Sequence, residues 1–208
     1  MEKINYQNKL MDIVSTLEYK PTLLLHSCCG PCSTQVIHFL KDYFEITVFY
    51  YNPNIEPEEE YLKRKNEQIR FIEEFNKKEN NQVHFLDCDY ENNEFKKCSK
   101  GLEDALEGGA RCSKCFYLRM HKTAEVALLN HLEYFGTTLT VSPHKNSMII
   151  NQIGEKIANL LGIKYIYGDF KKQNGYQNSI LYSKEYNLYR QNYCGCFYSR
   201  NGENQEVK

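Results

Sequence analysis

The sequence predicts an α/β fold, a parallel sheet with helices on both faces. Short apolar runs such as 22–25 and 45–51 alternate with longer stretches of helical periodicity, the pattern of strands linked by helices. The length, 208 residues, suits one domain with a full core. No internal repeat or low-complexity tract interrupts it, so residues 1–200 read as a single domain and 201–208 as a disordered tail.

In chain order, Ile4, Leu10, Met11, Val14 and Leu17 form one helical stripe. Thr22–Leu25 is a buried strand bounded by Pro21, and a helix follows with Pro31 in its first turn. Residues 45–51 (EITVFYY) are β-branched and aromatic, a second strand ended by Asn52-Pro53-Asn54. Pro57 and three glutamates open a long helix, its acids placed where the dipole favours them. Residues 82–86 form a third strand and 93–106 a weak helix broken by Gly108-Gly109. A helix starts at Arg111, a strand spans 134–141, a helix 148–161, a strand 164–167 and a last helix 175–189.

The formal charge is -1, so no global basic field announces nucleic acid, although a local patch would suffice. No apolar run reaches the ~20 residues of a membrane span. The first twenty residues lack a signal-peptide core, which points to the cytoplasm. There, grouped cysteines are metal ligands or redox groups more often than staples. Of nine cysteines, seven fall in three groups: Cys28, Cys29 and Cys32; Cys112 and Cys115; Cys194 and Cys196. Cys88 and Cys98 stand alone and read as ordinary small or surface residues.

The first group lies in the turn between a strand end and a helix N-terminus, where open α/β sheets bind ligands and where thiolates are favoured. Cys112 and Cys115 lie one helical turn apart on one face. Together with Cys28 and Cys29 they supply four thiolates, enough for zinc or for an iron–sulfur cluster. Adjacent Cys28-Cys29 departs from the chelating loops of structural zinc, and three further sulfurs exceed one closed site. Both features lean towards electron transfer. Cys194 and Cys196, separated by Gly195, can cycle between dithiol and strained disulfide, or hold a second metal with Cys32. Neither a phosphate loop nor a dinucleotide fingerprint is present.

These residues resemble the QueH-type epoxyqueuosine reductases. The resemblance covers nearly all of 22–200. It rests on the run from His26 to Cys32, on Tyr51-Asn52-Pro53-Asn54-Ile55 with Tyr61 and Arg64, and on Arg111-Cys112 to Cys115-Phe116 with Leu118-Arg119. Thr137-Thr138-Leu139, Ser142-Pro143, Gly168-Asp169-Phe170 and the run from Tyr189 to Cys196 extend it. The resemblance implies a Rossmann-like fold akin to the adenine-nucleotide α-hydrolases, with a Cys-rich metal site at the C-terminal ends of the strands. It implies a 4Fe-4S cluster on Cys28, Cys29, Cys112 and Cys115. Cys194 and Cys196 take the place of a redox-active or second-iron pair. Cys32 stands where many members carry Asp.

The implied reaction is the two-electron deoxygenation of epoxyqueuosine to queuosine at the tRNA wobble position. Its partners are tRNA of the Asp, Asn, His and Tyr type and an unidentified electron donor. His26, His144, Asp169 and Tyr193 are candidate proton donors. Lys63, Arg64 and Lys65, and Lys171, Lys172, Lys184, Arg190 and Arg200, are candidate phosphate contacts. A zinc-stabilised tRNA- or protein-binding module and a thiol–disulfide oxidoreductase are the competing readings.

Overall fold

The computed structural model describes residues 4–202. Five strands lie parallel: β1 (Thr22–His26), β2 (Glu45–Phe49), β3 (His84–Leu86), β4 (Tyr134–Thr137) and β5 (Lys164–Tyr165). Their order is β3-β2-β1-β4-β5. The chain builds outward from β1 to β3, then crosses back to lay β4 on the other side of β1. The order therefore reverses between β1 and β4, and the carboxyl ends of those strands are where open α/β sheets bind ligands.

Both faces of the sheet are covered. Side chains alternate along a strand, so Leu23 and Leu25 share one face and Leu24 the other. Leu23 and Leu25 pack with residues of α1 (Tyr6–Ser15), α2 (Gly30–Leu40) and α3 (Glu58–Glu79). Leu24 packs with Met120, Ala124 and Ala127 of α5 (Ala110–Leu129) and with Ile150 and Ile157 of α6 (Ser147–Leu161). The three leucines are fully buried, each worth about 2 kcal/mol of apolar burial. A short α4 (Asn92–Ser99) packs on α5, and α7 (Gly175–Glu185) on α2. Among the described residues no helix is long and apolar enough to cross a membrane.

Several boundaries differ from the sequence expectation, each for a local reason. The strand expected through Val141 stops at Thr137, because the Thr138 N–H turns to the His26 carbonyl (2.9 Å) and 139–141 tighten into a 3-10 turn. The weak helix ends at Ser99, two residues before Gly101 at φ +77°. The last expected helix ends at Glu185, before Asn187 at φ +46°. A helix α8 (Phe197–Gly202) takes up residues 201 and 202 of the expected tail. The rest of that tail lies outside the described residues.

Candidate metal centre

The cysteine turn is held from several sides. Ser27 N–H donates to the Phe49 carbonyl at the end of β2 (3.0 Å), and Asn52 Nδ2 donates to the Ser27 carbonyl (2.8 Å). Ser27 and Ser33 hydroxyls both donate to Gln68 Oε1 of α3 (2.6 and 2.9 Å), while Cys28 N–H donates to Thr138 Oγ1 (3.4 Å). Cys29 is the N-cap of α2, and Pro31 sits in the first turn as expected. Its sulfur is 3.9 Å from that of Cys28, and the sulfurs of Cys28, Cys29 and Cys32 all lie within 4.8 Å of one another. Cys29 and Cys32 donate to Cys28 and hold its thiol well below the ordinary range. Donating to Cys28 pushes Cys29 up to about 12 and raises Cys32 as well. Of the three, Cys28 is thus the favoured seat of negative charge, just before the N-terminus of α2.

The second group sits in the first turns of α5. Gly108, at φ +81°, turns its N–H onto Cys112 Sγ (3.2 Å). Arg111 holds the preceding loop through the Leu102 and Glu103 carbonyls (both 2.9 Å). Cys115 is buried and Cys112 half-buried; burial pushes Cys115 up to about 12 and raises Cys112. Cys98, expected to be an ordinary residue, packs with Cys115, Cys196 and Phe95. The Cys88 thiol donates to the Tyr50 carbonyl (3.2 Å).

The third group is a pinned hairpin. Arg64 Nη1 donates to the Cys194 carbonyl (3.1 Å), and Glu56 N–H to the Gly195 carbonyl (2.9 Å). Cys196 donates to Cys194, which lowers the Cys194 thiol and raises its own. All nine cysteines are free, so the expected disulfide is not the state described. Gly195 has φ +112°, and a Cβ there would stand 2.9 Å from Arg64 Nη1 and 3.0 Å from Ile55 Cγ1. Gly195→Ala is therefore expected to cost about 1–3 kcal/mol and to displace the pair. Thermal unfolding together with turnover checks it; a variant matching the parent in both refutes the reading.

Two cations, neither given a role from the sequence, sit among these sulfurs. Arg119 is 1 % exposed. Its Nε donates to the Cys115 carbonyl (3.2 Å) and its Nη1 to Asn52 Oδ1 (3.4 Å), and Nη2 has no partner. Burial works against its charge, and the sulfurs of Cys115, Cys194, Cys28 and Cys112 more than offset that. Lys145 is half-buried. Burial lowers its ammonium and the sulfurs of Cys194, Cys28 and Cys32 raise it further, so it stays charged. A signal was available for Arg119: it falls four residues after Cys115, on the sulfur-bearing face.

The other expected residues divide. The Tyr51 carbonyl can only accept, which leaves His26 Nδ1 to accept from the Thr137 hydroxyl (3.0 Å), whose oxygen also accepts from Leu139 N–H (3.2 Å). His26 Nε2 then carries the proton and donates to the Tyr51 carbonyl (3.1 Å). Burial, then Arg119, pushes His26 down to about 3, so it is a neutral strut rather than a proton donor. Asp169 faces Lys171 at 3.1 Å and Lys172 at 3.8 Å, and the Tyr193 hydroxyl accepts from Arg200 (2.9 Å). His144 is exposed. Arg64 is no phosphate contact: it is buried and bonded to Glu60 (2.7 Å). Lys65 pairs with Asp87, and Lys63 lies 3.4 Å over the Tyr189 ring.

The residues fit an anionic thiolate-held cofactor. Cys28, Cys112, Cys115 and Cys194 surround one buried guanidinium that has an unpartnered N–H group, and a backbone N–H is already directed at a sulfur.

Comparison with known proteins finds relatives along most of the chain. The profile of the family described as "Epoxyqueuosine reductase QueH" matches residues 23–202. A protein of that name from Staphylococcus epidermidis is 42% identical over 203 residues, covering 95% of this chain and 85% of the relative. One from Streptococcus pyogenes is 43% identical over 201 residues, covering 95% and 79%. One from Thermotoga maritima is 35% identical over 181 residues, covering 86% and 90%.

Proposed function

Because this chain belongs to the QueH family of epoxyqueuosine reductases, and is thereby an oxidoreductase, we propose that it deoxygenates epoxyqueuosine to queuosine at the wobble position of tRNA. Cys28, Cys29, Cys112 and Cys115 would hold a 4Fe-4S cluster. The observation that carries this is the gathering of sulfurs from three separate segments around Arg119 and Lys145, with Cys28 just past the carboxyl end of β1, where the strand order reverses. The strand order is also that of a Rossmann-like sheet, to which we assign the fold. When bound, such a cluster supplies single electrons and a Lewis-acidic iron.

The chain's own residues account for the remainder. Opening the epoxide to an alkene takes up two electrons and two protons and releases water. The dithiol of Cys194 and Cys196 holds that complement: closing to a disulfide gives up two electrons and two protons, and an external electron donor reopens it. A second iron on Cys32, Cys194 and Cys196 is the competing assignment. Lys145, charged and facing Cys194, Cys28 and Cys32, opposes the negative charge that develops on the departing oxygen. The free thiols suit a reducing compartment, which we take to be the cytoplasm. The test is an anaerobic, iron-reconstituted assay on tRNA carrying epoxyqueuosine. Formation of queuosine is expected. A colourless, zinc-loaded protein with no turnover would favour a binding module, and turnover without iron a thiol–disulfide enzyme.

Binding of tRNA is expected to rely on a few cations, Lys171 and Lys172 among them. Lys172 is the better probe, because its side chain is half-exposed and lies 3.8 Å from Asp169, farther than Lys171 at 3.1 Å. Lys172→Glu should weaken tRNA binding and reduce the salt slope by roughly one unit, leaving the visible spectrum intact. Unchanged affinity would move the patch elsewhere.

A further inference from the structure

Three arginines of the centre are buried, and they are used differently. Arg64 is neutralised by the Glu60 carboxylate at 2.7 Å. Arg111 caps the Leu102 and Glu103 carbonyls and stacks 4.1 Å over the Tyr198 ring. Arg119, like Arg111, has no carboxylate partner among the described residues. It bonds one carbonyl and one amide oxygen and keeps Nη2 unpartnered, although it is the most buried of the three. A guanidinium taken out of water without an anion is costly, so its counter-charge must come from what surrounds it. What surrounds it is sulfur: Cys115, Cys194, Cys28 and Cys112.

Its bonds also tie the ligand-bearing segments together. Nε holds the Cys115 carbonyl on α5. Nη1 holds Asn52, and Asn52 Nδ2 holds the Ser27 carbonyl, the residue before Cys28. One side chain thus links the helical pair to the turn after β1.

We propose that Arg119 is a positioning residue that sets the reduction potential of the centre, holding a permanent buried positive charge against the cluster ligands while it clamps their two segments. The inference rests on the reading of Cys28, Cys29, Cys112 and Cys115 as cluster ligands. Each electron added makes the centre more negative, and a neighbouring cation in a low-dielectric site favours the reduced form. Arginine does not titrate in proteins, so the effect is independent of pH.

The experiment is a spectroscopic redox titration of the anaerobically reconstituted full chain and its Arg119→Gln, Arg119→Met and Arg119→Lys variants, with iron and sulfide counted first. Gln and Met remove the charge, and Lys keeps it but loses the fork. The Gln and Met proteins are expected to show at least a tenfold smaller equilibrium constant for reduction, a shift of 59 mV to lower potential for a one-electron couple. The Lys protein should stay within threefold of the parent. Loaded Gln or Met protein at the parental potential overturns the proposal, as does a Lys protein displaced as far as the Gln protein. If the Gln and Met variants hold no iron, the Lys variant decides: loaded at the parental potential it supports the proposal, and empty it reduces Arg119 to a structural clamp. Failure of the parent to bind four irons would instead refute the cluster reading.

Discussion

Replacing Cys112 or Cys115 by alanine is expected to strip the protein of iron and of broad visible absorbance, with turnover falling to background. Both sulfurs sit in the first turns of α5, and neither has a neighbouring cysteine that can shift into its place without moving the helix. Cys98, in the same small cluster as Cys115, lies on α4 and would need that helix to move. The fold should survive. Below the site α5 is anchored by Met120, Ala124 and Ala127, all fully buried against the sheet, and removing one sulfur costs about 1 kcal/mol against a typical 5–15. Circular dichroism should therefore match the parent while iron content drops. Full iron retention in both variants would refute the ligand assignment.

Cys194→Ser or Cys196→Ser is expected to give the opposite pattern, a brown protein that binds tRNA and fails to reduce the epoxide. The hairpin is held by backbone bonds to Arg64 and Glu56, which a serine leaves in place. The loss should thus be confined to chemistry. A redox dithiol predicts one turnover by reduced parent without added reductant, with two titratable thiols consumed. A second metal predicts a fifth iron per chain, absent from the Ser variants, and no thiol loss. Normal turnover in either Ser protein would remove the pair from the mechanism altogether.

The strands were legible because each is a short apolar run between turn signals, and β1, buried on both faces, is the clearest of them. Their ends were less so. Thr137 to Val141 has good strand chemistry, yet the chain leaves the sheet because the Thr138 N–H finds the His26 carbonyl, a partner more than a hundred residues away. The sulfurs were legible from their grouping. Their surroundings were not: Lys145 belongs to no motif, Arg119 enters only as one residue of a family-like run, and only packing shows that both face thiols. His26 misled for the same reason, since a histidine beside cysteines looks chemical until Thr137 and the Tyr51 carbonyl are seen to occupy both ring nitrogens.

Three sulfurs within 4.8 Å of one another also make a snare for any thiophilic ion, and the snare is set before iron arrives. Along the Irving–Williams series copper and zinc outbid ferrous iron for such donors. Mismetallation is thus the expected outcome when iron delivery lags: metal analysis of aerobically isolated protein should find zinc in place of iron, and the order in which metals reach the thiols should decide the loading.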